Sequence, residues 1–222
     1  MKIFLDTSDT DIISKHCETG LIDGVTTNPT LMMQAGRDPV EVLRDIMPSF
    51  YNKNASISAE VVGETAEEMV LQSEEYRSVS NKITIKVPCT VEGLKACRIL
   101  SDMSIPVNVT LIFSVEQAIL AYKSGASYVS PFIGRCEDNN IDGIGLISSI
   151  NKFITNPLSD LIRDDIYILA ASIRNVSQVV QAFEAGADIV TLPPSIFEQM
   201  YHHDLTDQGL AQFDKDWKEL NK

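Results

Sequence analysis

Eight short apolar segments, rich in β-branched residues, alternate with longer segments whose apolar residues recur at helical spacing. Gly, Pro, Asn or Ser bounds each short segment, as expected for strands that end in turns. The predicted strands cover residues 2–5, 24–26, 56–61, 83–87, 106–109, 128–131, 167–170 and 189–191. The predicted helices cover residues 9–17, 39–50, 65–78, 91–102, 115–124, 144–153, 176–185, 194–201 and 206–220.

Eight βα units in strict alternation predict an α/β fold in which a parallel sheet closes on itself, a (β/α)8 TIM barrel. We expect residues 1–222 to form one barrel domain, with 206–220 as an additional C-terminal helix that could pack on a neighbouring subunit. The alternative is an open, doubly wound sheet. No GxGxxG follows the first strand and no GxxxxGK[ST] occurs, so the barrel is favoured.

The charge balance restricts the partners. Eighteen Lys and Arg against 31 Asp and Glu give a net charge of −13. Nucleic acid and anionic membranes both require a basic face, so we expect neither as a partner. The first residues are acidic where a signal peptide is apolar, and no run reaches 18 apolar residues, so a cytoplasmic protein is expected.

No sequence motif predicts a metal site. The four cysteines lie far apart without a CxxC pair. Residues 138–143 resemble the start of a calcium loop, but Ser149 stands where the bidentate Glu would be. His202 and His203 are adjacent, so on a helix they point in different directions.

The active site of such a barrel lies at the carboxyl ends of its strands. Chemically competent side chains occur where most of the predicted strands end, which places them around one mouth. They are Asp6, Thr26, Asn28, Glu60, Lys86, Asn108, Thr110, Ser130, Phe132, Arg135, Ser172 and Arg174.

Lys86 is the most informative of these residues. Alternation along the strand places it on one face with Lys82 and Thr84, opposite Ile83 and Ile85. If Lys86 points into the barrel, low-dielectric walls favour its neutral, nucleophilic amine, as a Schiff-base lysine requires. The alternative is a lysine that reaches solvent or pairs with a carboxylate.

Other members of the set suit the chemistry around such an amine. Asp6 and Glu60 could transfer the protons that imine chemistry moves, or could only form salt bridges or caps. Arg135 and Arg174, with Ser172, could bind a phosphate, or could be surface residues paired with carboxylates.

Five motifs, in order and spacing, resemble the transaldolase family over essentially the whole chain. They are Asp6-Thr-Ser, Gly24-Val-Thr-Thr-Asn-Pro-Thr30, Ile85-Lys-Val-Pro-Cys-Thr90, Val129-Ser-Pro-Phe-Ile-Gly-Arg135 and Ala170-Ala-Ser-Ile-Arg-Asn175. The length is similar to that of the short branch, which also contains fructose-6-phosphate aldolases.

The resemblance implies a role for each site residue. Lys86 would form the Schiff base, Asp6 would be the acid/base in carbon–carbon cleavage, and Glu60 with Thr110 would hold the catalytic water. Substrate would be bound by Thr26, Asn28, Ser130, Phe132, Arg135, Ser172 and Arg174.

The implied activity is that of a transaldolase of the pentose phosphate pathway. It would move a dihydroxyacetone unit from a ketose phosphate (fructose 6-phosphate or sedoheptulose 7-phosphate) to an aldose phosphate (erythrose 4-phosphate or glyceraldehyde 3-phosphate). No metal or organic cofactor is expected, because the iminium serves as the electron sink. The resemblance also implies a homo-oligomer, a pentamer or decamer.

Two alternatives remain open from the sequence. One is a fructose-6-phosphate aldolase that releases free dihydroxyacetone; Glu60, Phe132, Ser130 and Arg174 resemble the transferase branch, where aldolases tend to carry Gln, Tyr, Ala and Lys. The other is a barrel that binds sugar phosphates without catalysis.

Overall fold

The computed structural model describes residues 1–50, 55–155 and 166–221. In these ranges eight parallel strands close into a barrel in sequence order, and β8 pairs with β1. They are β1 (Lys2–Asp6), β2 (Gly24–Thr26), β3 (Ser56–Glu60), β4 (Ile83–Pro88), β5 (Val107–Ile112), β6 (Tyr128–Pro131), β7 (Tyr167–Ala170) and β8 (Ile189–Leu192). The predicted (β/α)8 TIM barrel is confirmed, and the open sheet is excluded.

The helices of the described ranges are α1 (Thr10–Cys17), α2 (Pro29–Ala35), α3 (Pro39–Ile46), α4 (Ala66–Arg77), α5 (Val91–Asp102), α6 (Val115–Lys123), α7 (Ile133–Asp138), α8 (Gly143–Ile154), α9 (Val176–Glu184), α10 (Pro194–Gln199) and α11 (Asp204–Leu220). A 3₁₀ turn, Met47–Phe50, completes the predicted helix 39–50. The helix expected at 206–220 is confirmed as α11, which begins two residues earlier.

The sequence pattern predicts neither α2 nor α7. Both are short helices that follow directly after a strand, where the chain reads as turn residues. Asn28 caps α2 and Pro29 occupies its first turn, a combination that starts a helix as readily as it makes a turn. Helix α7 has only six residues and no side-chain cap, so its sequence carries little signal.

The strands divide their side chains between two environments. Residues such as Ile83, Ile85 and Val87 of β4 are fully buried in the main core between sheet and helices. The alternate residues, Thr84 and Lys86, are also buried but contact residues of other strands inside the barrel. The alternation predicted from the sequence is therefore confirmed, and it places Thr84 and Lys86 inside the barrel.

Close packing locks the helices onto the strand ends at two glycines. A Cβ on Gly93 would lie 2.0 Å from the Pro88 carbonyl oxygen, while Thr90 caps α5 through the Gly93 amide at 3.0 Å. A Cβ on Gly134 would lie 2.3 Å from the Ser172 carbonyl oxygen, to which the Gly134 amide donates. These approaches require glycine and bring the loops of the barrel mouth together.

Helix α11 differs from the other long helices because none of its residues is buried. Its apolar side chains, such as Phe213 and Trp217, are about two-thirds exposed. Among the residues that the structure describes, no helix combines the length and apolar content needed to cross a bilayer.

Candidate active site

Lys86 lies inside the barrel mouth and is paired with Glu60. The Lys86 Nζ is 2.9 Å from a Glu60 carboxylate oxygen and donates to the Thr27 carbonyl at 3.1 Å. Lys86 is only 5% exposed. The two residues are register partners on β3 and β4, so the sheet itself places them side by side. The lysine is thus both inward-facing and paired with a carboxylate.

Asp6 is the second carboxylate of the mouth and lies at the end of β1. Its Oδ1 accepts a hydrogen bond from the Thr26 hydroxyl at 2.8 Å, across the β1–β2 pairing. Burial raises the pKa of Asp6, an effect that the charges of Lys86 and Arg135 and the Thr26 hydrogen bond oppose without cancelling. Asp6 can therefore hold a proton more readily than an exposed aspartate.

The Thr-Thr-Asn-Pro segment after β2 supplies three different contacts. The Thr26 hydroxyl donates a hydrogen bond to Asp6, and the Thr27 carbonyl accepts one from the Lys86 ammonium. Asn28 Oδ1 accepts from the Leu31 amide at 3.0 Å and so caps α2. The Asn28 Nδ2 is left as a hydrogen-bond donor at the cavity that this side chain lines.

A second polar chain runs across the barrel interior below the mouth. The Ser130 hydroxyl donates to Asn108 Oδ1 at 2.6 Å, and Asn108 Nδ2 donates to the Ser58 oxygen at 3.2 Å. All three residues are buried. Because the Ser130 hydrogen is engaged, its oxygen lone pairs are left to accept from a ligand hydroxyl.

A cavity of about 100 Å³ joins most of these groups. Its lining contains eight of the predicted site residues, and three further residues that the sequence argument did not select. The predicted ones are Asp6, Thr26, Asn28, Lys86, Ser130, Phe132, Arg135 and Ser172; the others are Leu169, Ala171 and Thr191. A wider cleft of about 750 Å³ shares Asp6 with this cavity.

A basic group marks the rim of the cavity. The Arg135 guanidinium lies over the Phe132 ring, 4.9 Å from its centroid. Ser172 has a φ of 61°, a left-handed conformation that is strained for a side chain other than glycine. The Gly134 amide donates a hydrogen bond to the Ser172 carbonyl, and this contact stabilises the strained conformation of Ser172 beside the cavity.

Four of the predicted residues do not line the cavity, and one of them is Asn108 of the buried polar chain. Arg174 points to the outer rim, where its Nη2 pairs with Asp138 at 2.6 Å and its side chain is 54% exposed. Glu60 is linked to the cavity by its ion pair with Lys86. Thr110 is buried on β5, and its hydroxyl has no hydrogen-bond partner among the described residues.

The three lining residues that the sequence argument did not select differ in whether a sequence pattern could have revealed them. Thr191 ends the predicted strand 189–191, so the rule that selected the other strand ends would also have selected it. Leu169 and Ala171 are apolar and form a wall, which no chemical pattern reveals. In the described ranges, no three His, Cys, Asp or Glu side chains cluster as they would around a metal ion.

The fold and the cavity define a class of protein: a (β/α)8 barrel whose mouth holds a buried amine paired with one carboxylate, at a cavity that a second carboxylate also lines. The chain belongs to the transaldolase and fructose-6-phosphate aldolase family, since the family model described as "Transaldolase/Fructose-6-phosphate aldolase" matches residues 3–222. This confirms the resemblance seen in the motifs.

Curated relatives match this chain over nearly their full lengths. The chain is 46% identical to a probable transaldolase of Caulobacter vibrioides over 98% of this chain and 96% of that one. It is 45% identical to a probable transaldolase of Roseobacter denitrificans over 100% and 99% of the two chains. A probable transaldolase of Symbiobacterium thermophilum is 46% identical, over 98% and 97%.

Among solved structures, a thiamine phosphate pyrophosphorylase from Pyrococcus furiosus superposes with a TM-score of 0.58 at 13% identity. The match covers 86% of this chain and 85% of that one. At this identity the likeness supports the barrel fold alone.

Proposed function

We propose that this protein is a transaldolase of the pentose phosphate pathway that works through a Schiff base on Lys86. It transfers a dihydroxyacetone unit from fructose 6-phosphate or sedoheptulose 7-phosphate to erythrose 4-phosphate or glyceraldehyde 3-phosphate. The observation that carries the proposal is the buried contact of Lys86 with Glu60, 2.9 Å long, at a cavity that Asp6 also lines.

Imine formation begins with the Lys86 ammonium. Glu60 is in contact with it and takes one proton, which frees the amine to attack the C2 carbonyl of the ketose phosphate. The carbinolamine loses water to give the iminium. The Thr110 hydroxyl has no hydrogen-bond partner among the described residues, which supports its role, with Glu60, in holding the water that is lost and later returned.

Asp6 then drives the cleavage. Its carboxylate takes the proton of the C4 hydroxyl, the C3–C4 bond breaks, and the bonding electrons move into the iminium to form an enamine. The first aldose phosphate leaves. The enamine carbon attacks the aldehyde of the second aldose phosphate, Asp6 returns the proton, and hydrolysis of the new iminium releases the product and Lys86.

The remaining lining residues are suited to hold the substrate. Asn28 and Ser130 present a donor and an acceptor to the hydroxyls of the dihydroxyacetone unit. Arg135 and Ser172 bind the phosphate at the rim, and Arg174 joins them when it leaves Asp138.

The side chain of Phe132 favours transfer over free aldol cleavage. It lines the cavity and packs against Phe113, with ring centroids 5.8 Å apart, and it has no hydroxyl. A tyrosine hydroxyl at this place could activate water or protonate the enamine, whereas Phe132 leaves the enamine intact until an aldose phosphate arrives.

Borohydride reduction in the presence of fructose 6-phosphate tests the Schiff base. We expect a covalent three-carbon adduct on Lys86 by peptide mass spectrometry and none in Lys86→Met. Lys82→Met is the matched control, because Lys82 directly precedes β4 and its Nζ donates to the Phe50 carbonyl instead of facing the cavity carboxylates; this variant should keep the adduct. Wild-type protein without an adduct would overturn the proposal and favour a non-catalytic sugar-phosphate barrel.

A second assay separates transferase from aldolase. Release of dihydroxyacetone from fructose 6-phosphate is measured without an acceptor, and transfer is measured with erythrose 4-phosphate. We expect transfer to be faster. Free dihydroxyacetone formed as fast as transferred product would assign the protein to the aldolase alternative.

We also propose that α11 is a contact between copies of this chain in a homo-oligomer, a pentamer or decamer by family resemblance. One face of this helix carries four large apolar side chains that are between 60% and 81% exposed. They are Leu210, Phe213, Trp217 and Leu220. The family match includes this helix. Light scattering should show a smaller particle for Phe213→Glu, while Lys215→Glu, about 200° around the helix, should not change the size.

A further inference from the structure

Thr191 of β8 lies next to the carboxylate of the cavity without belonging to the predicted site. Its hydroxyl is 2.6 Å from the Thr26 hydroxyl, which in turn is 2.8 Å from Asp6 Oδ1. Thr191 is 3% exposed and Thr26 is 1% exposed. The three side chains come from three adjacent strands, β8, β1 and β2, so the contact exists only because the barrel closes.

The direction of these hydrogen bonds follows from counting hydrogens. An ionised carboxylate only accepts, so Thr26 gives its single hydroxyl hydrogen to Asp6. Thr26 then has none left for Thr191, and Thr191 must be the donor in the 2.6 Å contact. The hydrogen bonds therefore run in one direction, from Thr191 to Thr26 to Asp6, and each strengthens the next.

This order determines which carboxylate oxygen can react. Asp6 Oδ1 is engaged by Thr26, which leaves Oδ2 as the oxygen that takes a proton from substrate. Without the donor on Thr191, the Thr26 oxygen loses one hydrogen bond, and the hydrogen bond that the Thr26 hydroxyl donates to Asp6 Oδ1 becomes weaker and less well oriented. The charged groups that act on Asp6 are Lys86 of β4 and Arg135 of α7, and neither belongs to the hydrogen-bonded chain from Thr191.

We propose that Thr191 is a positioning residue that orients the Thr26 hydroxyl towards Asp6 and thereby keeps Asp6 ionised with Oδ2 directed to proton transfer. This inference rests on the proposed role of Asp6 as the base in cleavage. It predicts that Thr191 acts on the cleavage step and leaves imine formation, which depends on Lys86 and Glu60, unaffected.

Thr191→Val keeps the shape and removes the donor. We expect kcat for transfer to fall by about threefold to tenfold, the range that one lost hydrogen bond supports, with little change in KM. The acid limb of the kcat/KM profile should move to higher pH, because a weaker hydrogen bond stabilises the ionised Asp6 less. Thr191→Ser should restore both the rate and the pH profile.

Thr84→Val is the matched control. Thr84 is an equally buried threonine of the barrel interior whose hydroxyl is 2.7 Å from that of Ser56, and this pair contacts no carboxylate in the described residues. We expect it to leave the pH profile unchanged. An acid limb that is the same in Thr191→Val as in wild type, or that moves equally in Thr84→Val, would overturn the proposal.

Borohydride trapping keeps this test separate from that of the proposed function. Thr191→Val should still form the Lys86 adduct with fructose 6-phosphate. If wild-type protein forms no adduct, the Schiff-base function fails. If wild type and variant both form it and share one pH profile, the function stands and only the role of Thr191 is refuted.

Discussion

The interior of the barrel has a polar side and an apolar side, and they are built by different rules. On the polar side, buried groups such as Ser58, Lys86 and Asn108 each find a partner on another strand. Phe4, Phe132, Leu169, Ala171 and Ile189 form the apolar side. Polar groups buried without partners are costly, so the first side must be satisfied pair by pair, whereas the second needs only to be filled.

This difference separates stability from chemistry. The apolar side can supply the wall against which a substrate lies, and it contributes burial energy without specific geometry. The polar side pairs Lys86 with Glu60, and it links Asp6 through hydrogen bonds to the hydroxyls of Thr26 and Thr191. A change on one side should therefore mainly affect stability, and a change on the other should mainly affect turnover.

Truncation of the apolar side should give the largest effect on stability. Leu169 is fully buried, and Leu169→Ala should lower the free energy of unfolding by about 2–5 kcal/mol while keeping the Lys86 adduct. On the polar side, Ser58→Ala removes the acceptor of Asn108 and should cost about 1–3 kcal/mol. Urea unfolding at one fixed protein concentration measures both.

The same pair of variants should show the opposite order in transfer activity. Ser58→Ala removes a hydrogen bond that holds the Asn108 side chain in place. Ser130, which donates to Asn108 at the cavity, is then held less firmly as well. Leu169→Ala leaves every polar contact in place. If Leu169→Ala loses more activity than Ser58→Ala at equal folded fraction, the conclusion that the apolar side mainly affects stability and the polar side mainly affects turnover is wrong.

The buried carboxylate of the polar side should cost stability at neutral pH. The pKa of Asp6 is raised in the fold, chiefly by burial, so the folded state binds its proton more tightly than the unfolded chain does. The stabilisation from protonated Asp6 is complete below its unfolded pKa, near 3.8, and is lost as pH rises through the folded pKa.

Asp6→Asn removes this titration. At neutral pH the variant should be inactive in cleavage yet more stable than wild type, and the gain should vanish at the acidic end. Urea midpoints across the pH range measure it. A variant that is less stable than wild type by the same amount at every pH would show that burial of the charge is not costly here.

Much of this architecture follows from the sequence. The strands were predictable because period-two alternation and turn residues mark them, and parallel strands end at one rim, which gathers Asp6, Lys86 and Ser130. Alternation placed Lys86 on the face opposite Ile85 and Val87, but it left open which of the two faces lines the barrel.

Other features depend on contacts that no local pattern records. The link from Thr191 to Asp6 requires β8 to pair with β1, which is a consequence of closure. The outward direction of Arg174 depends on Asp138, which is 36 positions away in the chain. Helix α7 lacks a capping side chain, so it is stabilised by packing rather than by its own sequence.

The boundary between the two sides offers a smaller, chemical test. Phe132 belongs to the apolar side but lines the cavity. Phe132→Tyr combined with Glu60→Gln should raise the ratio of free cleavage to transfer, because the new hydroxyl can activate water or protonate the enamine, which releases free dihydroxyacetone. Phe113→Tyr, on the adjacent ring, is the control that should leave the ratio unchanged. An unchanged ratio in the double variant would remove these side chains from the choice between the two reactions.

The smallest effect is expected outside both sides, at the rim, where Arg174 is held by Asp138. The pair is more than half exposed, so its strength is screened by water and is worth only about 0–1 kcal/mol. A substrate phosphate must compete with Asp138 for the guanidinium. Asp138→Asn should therefore lower KM for phosphorylated aldoses by no more than about fivefold, leave kcat unchanged, and not affect unphosphorylated acceptors. Asp102→Asn, which removes the similarly exposed partner of Arg98, should change neither constant. If Asp138→Asn raises KM instead, Asp138 orients Arg174 for phosphate rather than competing for it.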